Sequence, residues 1–312
     1  MFKCQHEDRS HINLFFFYSA THHNHLLRMA AQEQDLCPNK EALEKYPKNT
    51  KPLENQVAGH SFSDGCHTIG MLRDEDGHVL KPVNKPEQGR KEIEFYETLS
   101  KYETDDILQL KQFVPQYFGS VILSIDGRSA QFLKLLDATR GYKKPCVMDV
   151  KIGRQTWEPG APVEKQLREE SKYKLCKQQC GFCIPGFQVY NITTGTFEKY
   201  GKDYGRRLQR DDIVYVFKKF LNSGTERGRV VAEEMLRQVT TILDWWRVQR
   251  TFHMYSSSVL LTYDAEPNLT PSVRVVLIDF AHVLPANGSP DLNYLTGLES
   301  FVHIFTSVLN EL

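Results

Sequence analysis

Asp149 and Lys151 stand two residues apart in the run Pro145-Cys-Val-Met-Asp149-Val-Lys151-Ile-Gly153. On a β-strand that spacing sends both side chains to one face. An acid beside a base on a surface that faces a cleft suits phosphoryl transfer. The cation offsets charge spreading over the equatorial oxygens, and the carboxylate orients or deprotonates the attacking hydroxyl. The same spacing also describes a structural ion pair at a strand end, and spacing alone does not choose between the two.

Asp279 closes the apolar run Val273-Arg-Val-Val-Leu-Ile-Asp279 and is followed by Phe-Ala-His282. A carboxylate leaving a buried strand at a cleft can hold a hard cation such as Mg²⁺, or it can simply begin a turn. His282 could contact a substrate phosphate or be an ordinary hydrogen-bonded histidine. Lys81 and Glu92 form a third element, a strand-end lysine followed by a helix glutamate, the arrangement that grips nucleotide phosphates in two-lobed kinases. A solvated surface pair would read the same way. From Arg140 to Lys177 there are ten Lys or Arg and five Asp or Glu, a local net of +5. Within it Lys165, Arg168 and Lys172 share one helical face, suited to a polyanionic ligand, while Leu167 and Leu175 are expected to turn inward.

The elements that must position these groups are legible in outline. Asp-Gly pairs at 76–77 and 126–127 predict two hairpins, with strands over 68–72 and 78–82, then 121–125 and 130–135. Between them Ile93, Tyr96 and Leu99 carry a helical period over 89–102. A polar stretch at 137–145, ending at a proline, reads as a connector between lobes. Beyond it come strands over 147–152, 186–191, 259–263 and 273–279. Helices are expected over 162–179, 210–221, 230–250 and 297–309. Residues 1–50 read as a variable extension with a short helix over 26–44, followed by a first lobe over 51–136 and a second over 137–312.

The chain has 312 residues with Lys+Arg equal to Asp+Glu at 39 each, so net charge gives no argument for nucleic acid. No apolar run approaches the roughly 20 residues of a membrane span. The seven cysteines are an odd number in a chain long enough to build a core, which reads as free thiols. The cluster Cys176, Cys180 and Cys183 lacks a fourth ligand at zinc spacing. The histidines at 22, 23 and 25 read as part of a solvated tail. Gly65 to Gly70 is a weak candidate for a loop over phosphates. No Walker A loop, dinucleotide fingerprint or protein-kinase HRDxxxxN loop occurs.

Taken together, the motifs resemble the inositol polyphosphate kinase family over roughly residues 56–312. The Pro145 to Gly153 run is similar to its PxxxDxKxG signature, Asp279-Phe-Ala-His282 to its late metal-binding motif, and Ser257-Ser258-Val259-Leu260 to its Ser-Ser-Leu-Leu segment, with Val259 in place of one leucine. The resemblance implies an α+β fold of two protein-kinase-like lobes with antiparallel sheets and a small helical inositol-binding insertion at about 160–185. It implies ATP and Mg²⁺ as cofactors. Lys81 and Glu92 would serve the ATP phosphates, backbone near Leu136 and Ala138 the adenine, and Ser258 and Leu260 the nucleotide side. Asp149 would lie near the ribose and the acceptor hydroxyl, and Lys151 near the transferred phosphoryl. Asp279 would ligate the metal. Lys151, Lys165, Arg168, Lys172 and His282 would meet the substrate.

The short insertion after Gly153, and Gly59-His-Ser followed by Gly-Arg-Lys-Glu-Ile-Glu-Phe-Tyr, resemble the multikinase branch. That branch implies transfer to the 3- and/or 6-hydroxyls of inositol trisphosphate and tetrakisphosphate, with phosphoinositide headgroups such as phosphatidylinositol bisphosphate as a further substrate. The alternatives are a hexakisphosphate kinase and a non-catalytic inositol-phosphate scaffold. Gln88, where the branch tends to carry Arg, and Arg168, where Gln is common, leave regiospecificity open. A monomer in the nucleus and/or cytoplasm, without stable nucleic-acid or transmembrane association, is the expectation that follows.

Overall fold

The two Asp-Gly turns set the first sheet. In the computed structural model, which describes residues 46–59, 62 and 68–312, strands β2 (Leu72–Asp74) and β3 (His78–Pro82) meet at Gly77, whose φ is +84°. Strands β4 (Tyr117–Ile125) and β5 (Arg128–Leu136) meet at Asp126 and Gly127, both left-handed at +47° and +73°. Positive φ at both central residues matches the right-handed twist of the flanking strands. With β1 (Thr50–Pro52) they form a five-stranded sheet in the order β1-β2-β3-β5-β4, antiparallel throughout.

A second five-stranded antiparallel sheet is ordered β11-β10-β6-β7-β8. Its strands are β6 (Pro145–Ile152), β7 (Phe182–Asn191), β8 (Thr196–Tyr200), β10 (Ser258–Asp264) and β11 (Val273–Ile278). β6 is central and buried from Cys146 to Val150, which is why it carries the site. A small pair, β9 (Phe252–Met254) with β12 (Val283–Pro285), lies beyond. Helices α6 (Arg210–Phe220), α7 (Glu226–Val248) and α8 (Leu292–Asn310) supply the main core, with Phe182, Phe217, Phe301 and Phe305 in mutual aromatic contact. The core does not stop at the connector. Phe95 of α1 (Pro86–Lys101) stacks on Phe280 at 4.3 Å, and Trp245 Nε1 donates to the Asp106 carbonyl of α2 (Asp105–Phe113).

Several expectations are corrected. The strand expected over 68–72 begins only at Leu72, because Ile69 is tied to the Asn84 side chain rather than to a ladder. The helix expected over 162–179 is two: α3 (Val163–Ser171) and α4 (Lys174–Cys180), broken at Tyr173, whose φ is +55°. Lys172 is the extended cap of α3, so the basic stripe does not continue through it. Leu167 and Leu175 do not pack inward; they are 61% and 46% exposed, and α3 has no buried residue. α2 and the short strands β1, β8, β9 and β12 were not expected, nor was α5 (Lys202–Gly205). The helix over 26–44, the early histidines and residues 65–67 of the 65–70 loop lie outside the described residues.

Candidate active site

The period-2 geometry of β6 brings Val147, Asp149 and Lys151 to the same cavity, about 410 Å³ in volume, between the two sheets. β10 pairs Leu260 opposite Asp149 and Ser258 opposite Lys151. From the first sheet Lys81 reaches across, with Nζ 2.7 Å from Glu92 Oε1 and 2.6 Å from Asp279 Oδ1. Lys151 Nζ lies 3.8 Å from Asp279 Oδ2 and donates to the Ser256 carbonyl. Five charged side chains from both halves thus converge: Lys81, Glu92, Asp149, Lys151 and Asp279.

Local structure fixes their aim. Glu92 is 4% exposed and also accepts from the Phe280 N–H at 3.2 Å, so one carboxylate locks Lys81 and the segment after Asp279 together. Asp279 is left-handed at φ +68°, and Ser257 Oγ donates to its carbonyl at 2.8 Å. A non-glycine residue held in that region stores strain, which clusters at functional sites. Ser257 was quoted in the sequence only as part of the Ser257 to Leu260 segment, with no task of its own.

Asp149 is 3% exposed and its Oδ1 has no hydrogen-bond partner among the described residues. Burial raises its carboxyl to about 6, against the pull of Lys151 and with the push of Asp279. Asp279 goes the other way: burial opposes ionisation, but Lys81 and Lys151 outweigh it and hold the carboxyl low. Burial likewise disfavours the Lys81 ammonium, and Asp279 and Glu92 reverse this and raise its pKa. Two nearby carboxylates pushed apart in this way divide the work between a group that can take a proton and one that stays anionic. Mg²⁺ asks for oxygen donors and is usually held by one or two carboxylates together with phosphates and water. Asp279, which stays anionic and lines the cavity, supplies such an oxygen donor, and it fits.

The connector forms one cavity wall. Leu136 N–H donates to Gln116 O, Asp137 N–H to Gly77 O, Thr139 N–H to Asp137 Oδ1 and Arg140 N–H to Asp137 O. The Ala138 N–H has no acceptor among the described residues. The connector is braced by Arg274, which donates to the Ala138 and Arg140 carbonyls, and by Arg73, paired with Asp137 at 2.5 Å. Leu136, Ala138, Leu260 and His282 all line the cavity. Ser258 is fully buried behind it and is not part of its lining. Lys165, Arg168 and Lys172 lie apart from it on the α3 element, with Glu169 only 2.7 Å from Lys172 Nζ and 3.6 Å from Arg168 Nε.

A segment that sequence reading passed over closes the cavity. Residues 53–59 run from the first sheet, where Leu53 N–H bonds Met71 O, across to the second, where Lys199 Nζ and Lys202 Nζ hold the Glu54 and Gly59 carbonyls. The strap crosses the sheet at Gly186, where any Cβ would lie 2.3 Å from Val57 O. Gly186 stands opposite Asp149 in the ladder.

Comparison with known proteins bears on the family and the fold. A family model described as Inositol polyphosphate kinase matches residues 132–306. Inositol polyphosphate multikinase of Rattus norvegicus is 33% identical over 263 residues, covering 83% of this chain and 65% of the rat protein. The chain spans between 52% and 65% of the length of the mammalian multikinases it matches. A structure from studies of an inositol phosphate multikinase is 31% identical, with a TM-score of 0.58 over 70% of this chain and 99% of the other. An inositol phosphate multikinase from S. cerevisiae, solved with ADP and Mn²⁺, is 21% identical with a TM-score of 0.62 over 74% of this chain and 99% of the other, a likeness of fold.

Proposed function

The chain belongs to the inositol polyphosphate kinase family, and from that premise we propose that it transfers the γ-phosphoryl group of ATP to a hydroxyl of an inositol polyphosphate. The observation that carries this reading is the convergence of Lys81, Asp149, Lys151 and Asp279 on one cavity, whose wall offers an Ala138 N–H with no acceptor among the described residues.

Each residue then has a task. Adenine takes the apolar slot between Val79 and Leu260 and a hydrogen from the Ala138 N–H, as connector backbones offer in two-lobed kinases. Lys81, pinned by Glu92, binds nucleotide phosphate oxygens. Asp279 would hold Mg²⁺, which supplies charge neutralisation on the phosphates. Asp149 orients the acceptor hydroxyl and, with its carboxyl near 6, takes its proton at neutral pH. Lys151 stands where negative charge develops on the moving group. Lys165, Arg168 and Lys172, on the α3 element, bind the sugar's phosphates and select the hydroxyl presented.

The finer reading is a multikinase acting at the 3- and/or 6-hydroxyls of inositol tris- and tetrakisphosphate. Incubating the protein with ATP, Mg²⁺ and a panel from inositol trisphosphate to hexakisphosphate, followed by positional analysis of products, tests it. Monophosphate esters formed on the tris- and tetrakisphosphates are expected. A pyrophosphate product from hexakisphosphate alone would replace this reading with the hexakisphosphate kinase. No transfer to any member would leave the scaffold.

A further inference from the structure

A second charged cluster lies at the mouth of the cavity, and the tasks above leave most of it unused. Glu158, in the loop between β6 and α3, places Oε1 2.6 Å from His282 Nδ1 and 3.5 Å from Lys91 Nζ. The donors come from separate elements. Lys91 is on α1 of the first sheet's side, next to Glu92, and His282 sits three residues past Asp279 and lines the cavity. The Glu158 side chain is only 18% exposed. Burial alone would push its carboxyl up; His282, Lys91 and Lys165 outweigh that and hold it below the ordinary range. The contact therefore joins the two halves of the molecule through one anion.

A carboxylate drawn into a basic pocket by donors from two separate segments stands where a phosphate would be most stabilised. Gln88, three residues before Lys91 on the same face of α1, lines the cavity, so Lys91 stands at its rim. We propose that Lys91 and His282 form a phosphate subsite guarded by Glu158, whose carboxylate must swing out before a phosphate of the substrate can take its place. Glu158 thus acts as an internal competitor. Weakly anionic ligands fail to displace it, and multiply phosphorylated ones succeed. The polyanionic sugar as occupant rests on the kinase reading above; the anion site itself does not.

The test is calorimetric titration of the full chain with inorganic pyrophosphate and, separately, with inositol trisphosphate. Glu158→Gln keeps shape and hydrogen bonding to His282 but removes the competing charge. It is expected to tighten both ligands by about three- to tenfold, an effect that fades at high salt. Lys91→Met, at a half-exposed position, is expected to weaken both by a similar factor. Glu234→Gln, on α7 and paired there with Arg237, should change neither. Unchanged or weaker binding in Glu158→Gln, no effect of Lys91→Met, or equal tightening in Glu234→Gln would each overturn the proposal. If the protein transfers no phosphate to any inositol phosphate yet the pyrophosphate results hold, the kinase reading fails and the subsite stands.

Discussion

Asp149 and Asp279 sit within one electrostatic network yet are driven in opposite directions, and this asymmetry is the most testable feature at the residue scale. A buried Asp149 with its carboxyl at about 6 holds its proton in the folded state over a range where the unfolded chain has lost it. Stability must therefore fall as pH rises from about 4 to about 6. Asp149→Asn removes that slope. It is expected to match the wild type below pH 4 and to exceed it by up to about 3 kcal/mol above pH 6, read by urea denaturation across pH. Parallel curves for the two proteins would refute the burial account. Activity runs the other way. Because transfer needs the ionised form, kcat/KM is expected to rise through an acid limb near pH 6, and Asp149→Asn should lose activity while gaining stability. The pair at Asp149 and Lys151 and the late Asp279 were legible because two-residue spacing on a strand and a polar residue ending an apolar run have direct geometric meaning; the Lys81–Glu92 grip was read through the family resemblance. Glu158 and Arg274 were not legible, since each acts on a partner distant in sequence and carries no local pattern.

At the scale of elements, local chemistry spoke where it was strong. Asp-Gly pairs located both hairpins, and β3 runs over the expected 78–82. The expected 162–179 helix failed at Tyr173 because a left-handed residue there is imposed by packing, not by propensity; nothing in Lys172-Tyr173-Lys174 resembles a helix stop. The exposure of Leu167 follows from the same break, since α3 stands clear of the core. Leu167→Gln is accordingly expected to shift stability by less than about 0.5 kcal/mol in thermal melts, as at other surface sites; a loss of 2 kcal/mol or more would mean that the leucine is packed. β1, β9 and β12 are three residues each, too short for a period. α2 does carry a signal, Thr104 before two acidic residues and then Ile107 and Leu110, but its nine residues leave the period little room. The strap over 53–59 was invisible because its role is a close approach to Gly186. Gly186→Ala forces a methyl against the Val57 and Tyr200 carbonyls. It is expected to cost about 2–3 kcal/mol and to weaken ATP binding, since Val57 lines the cavity. A Gly186→Ala protein with unchanged melting temperature and ATP affinity would show that the strap is not held there.

For the molecule as a whole, the two sheets share a core through α1, α2 and Phe280, so the described residues should unfold in one cooperative transition. A nucleotide that bridges Lys81 and Asp279 ties both sides of the cleft. ATP with Mg²⁺ at a hundred times its Kd is expected to add about 2.7 kcal/mol of stability, seen as an upward shift of that single transition by scanning calorimetry. A shift confined to part of the unfolding signal would argue for halves that behave independently. The central claim, that charges from both sheets act together on one moving phosphoryl group, is tested most directly by steady-state transfer from labelled ATP to inositol trisphosphate. Wild-type protein is compared with Lys151→Ala and Asp279→Ala. Both variants are predicted to lose about a hundredfold or more in kcat/KM while keeping their fold; near-normal kcat/KM in both would contradict it.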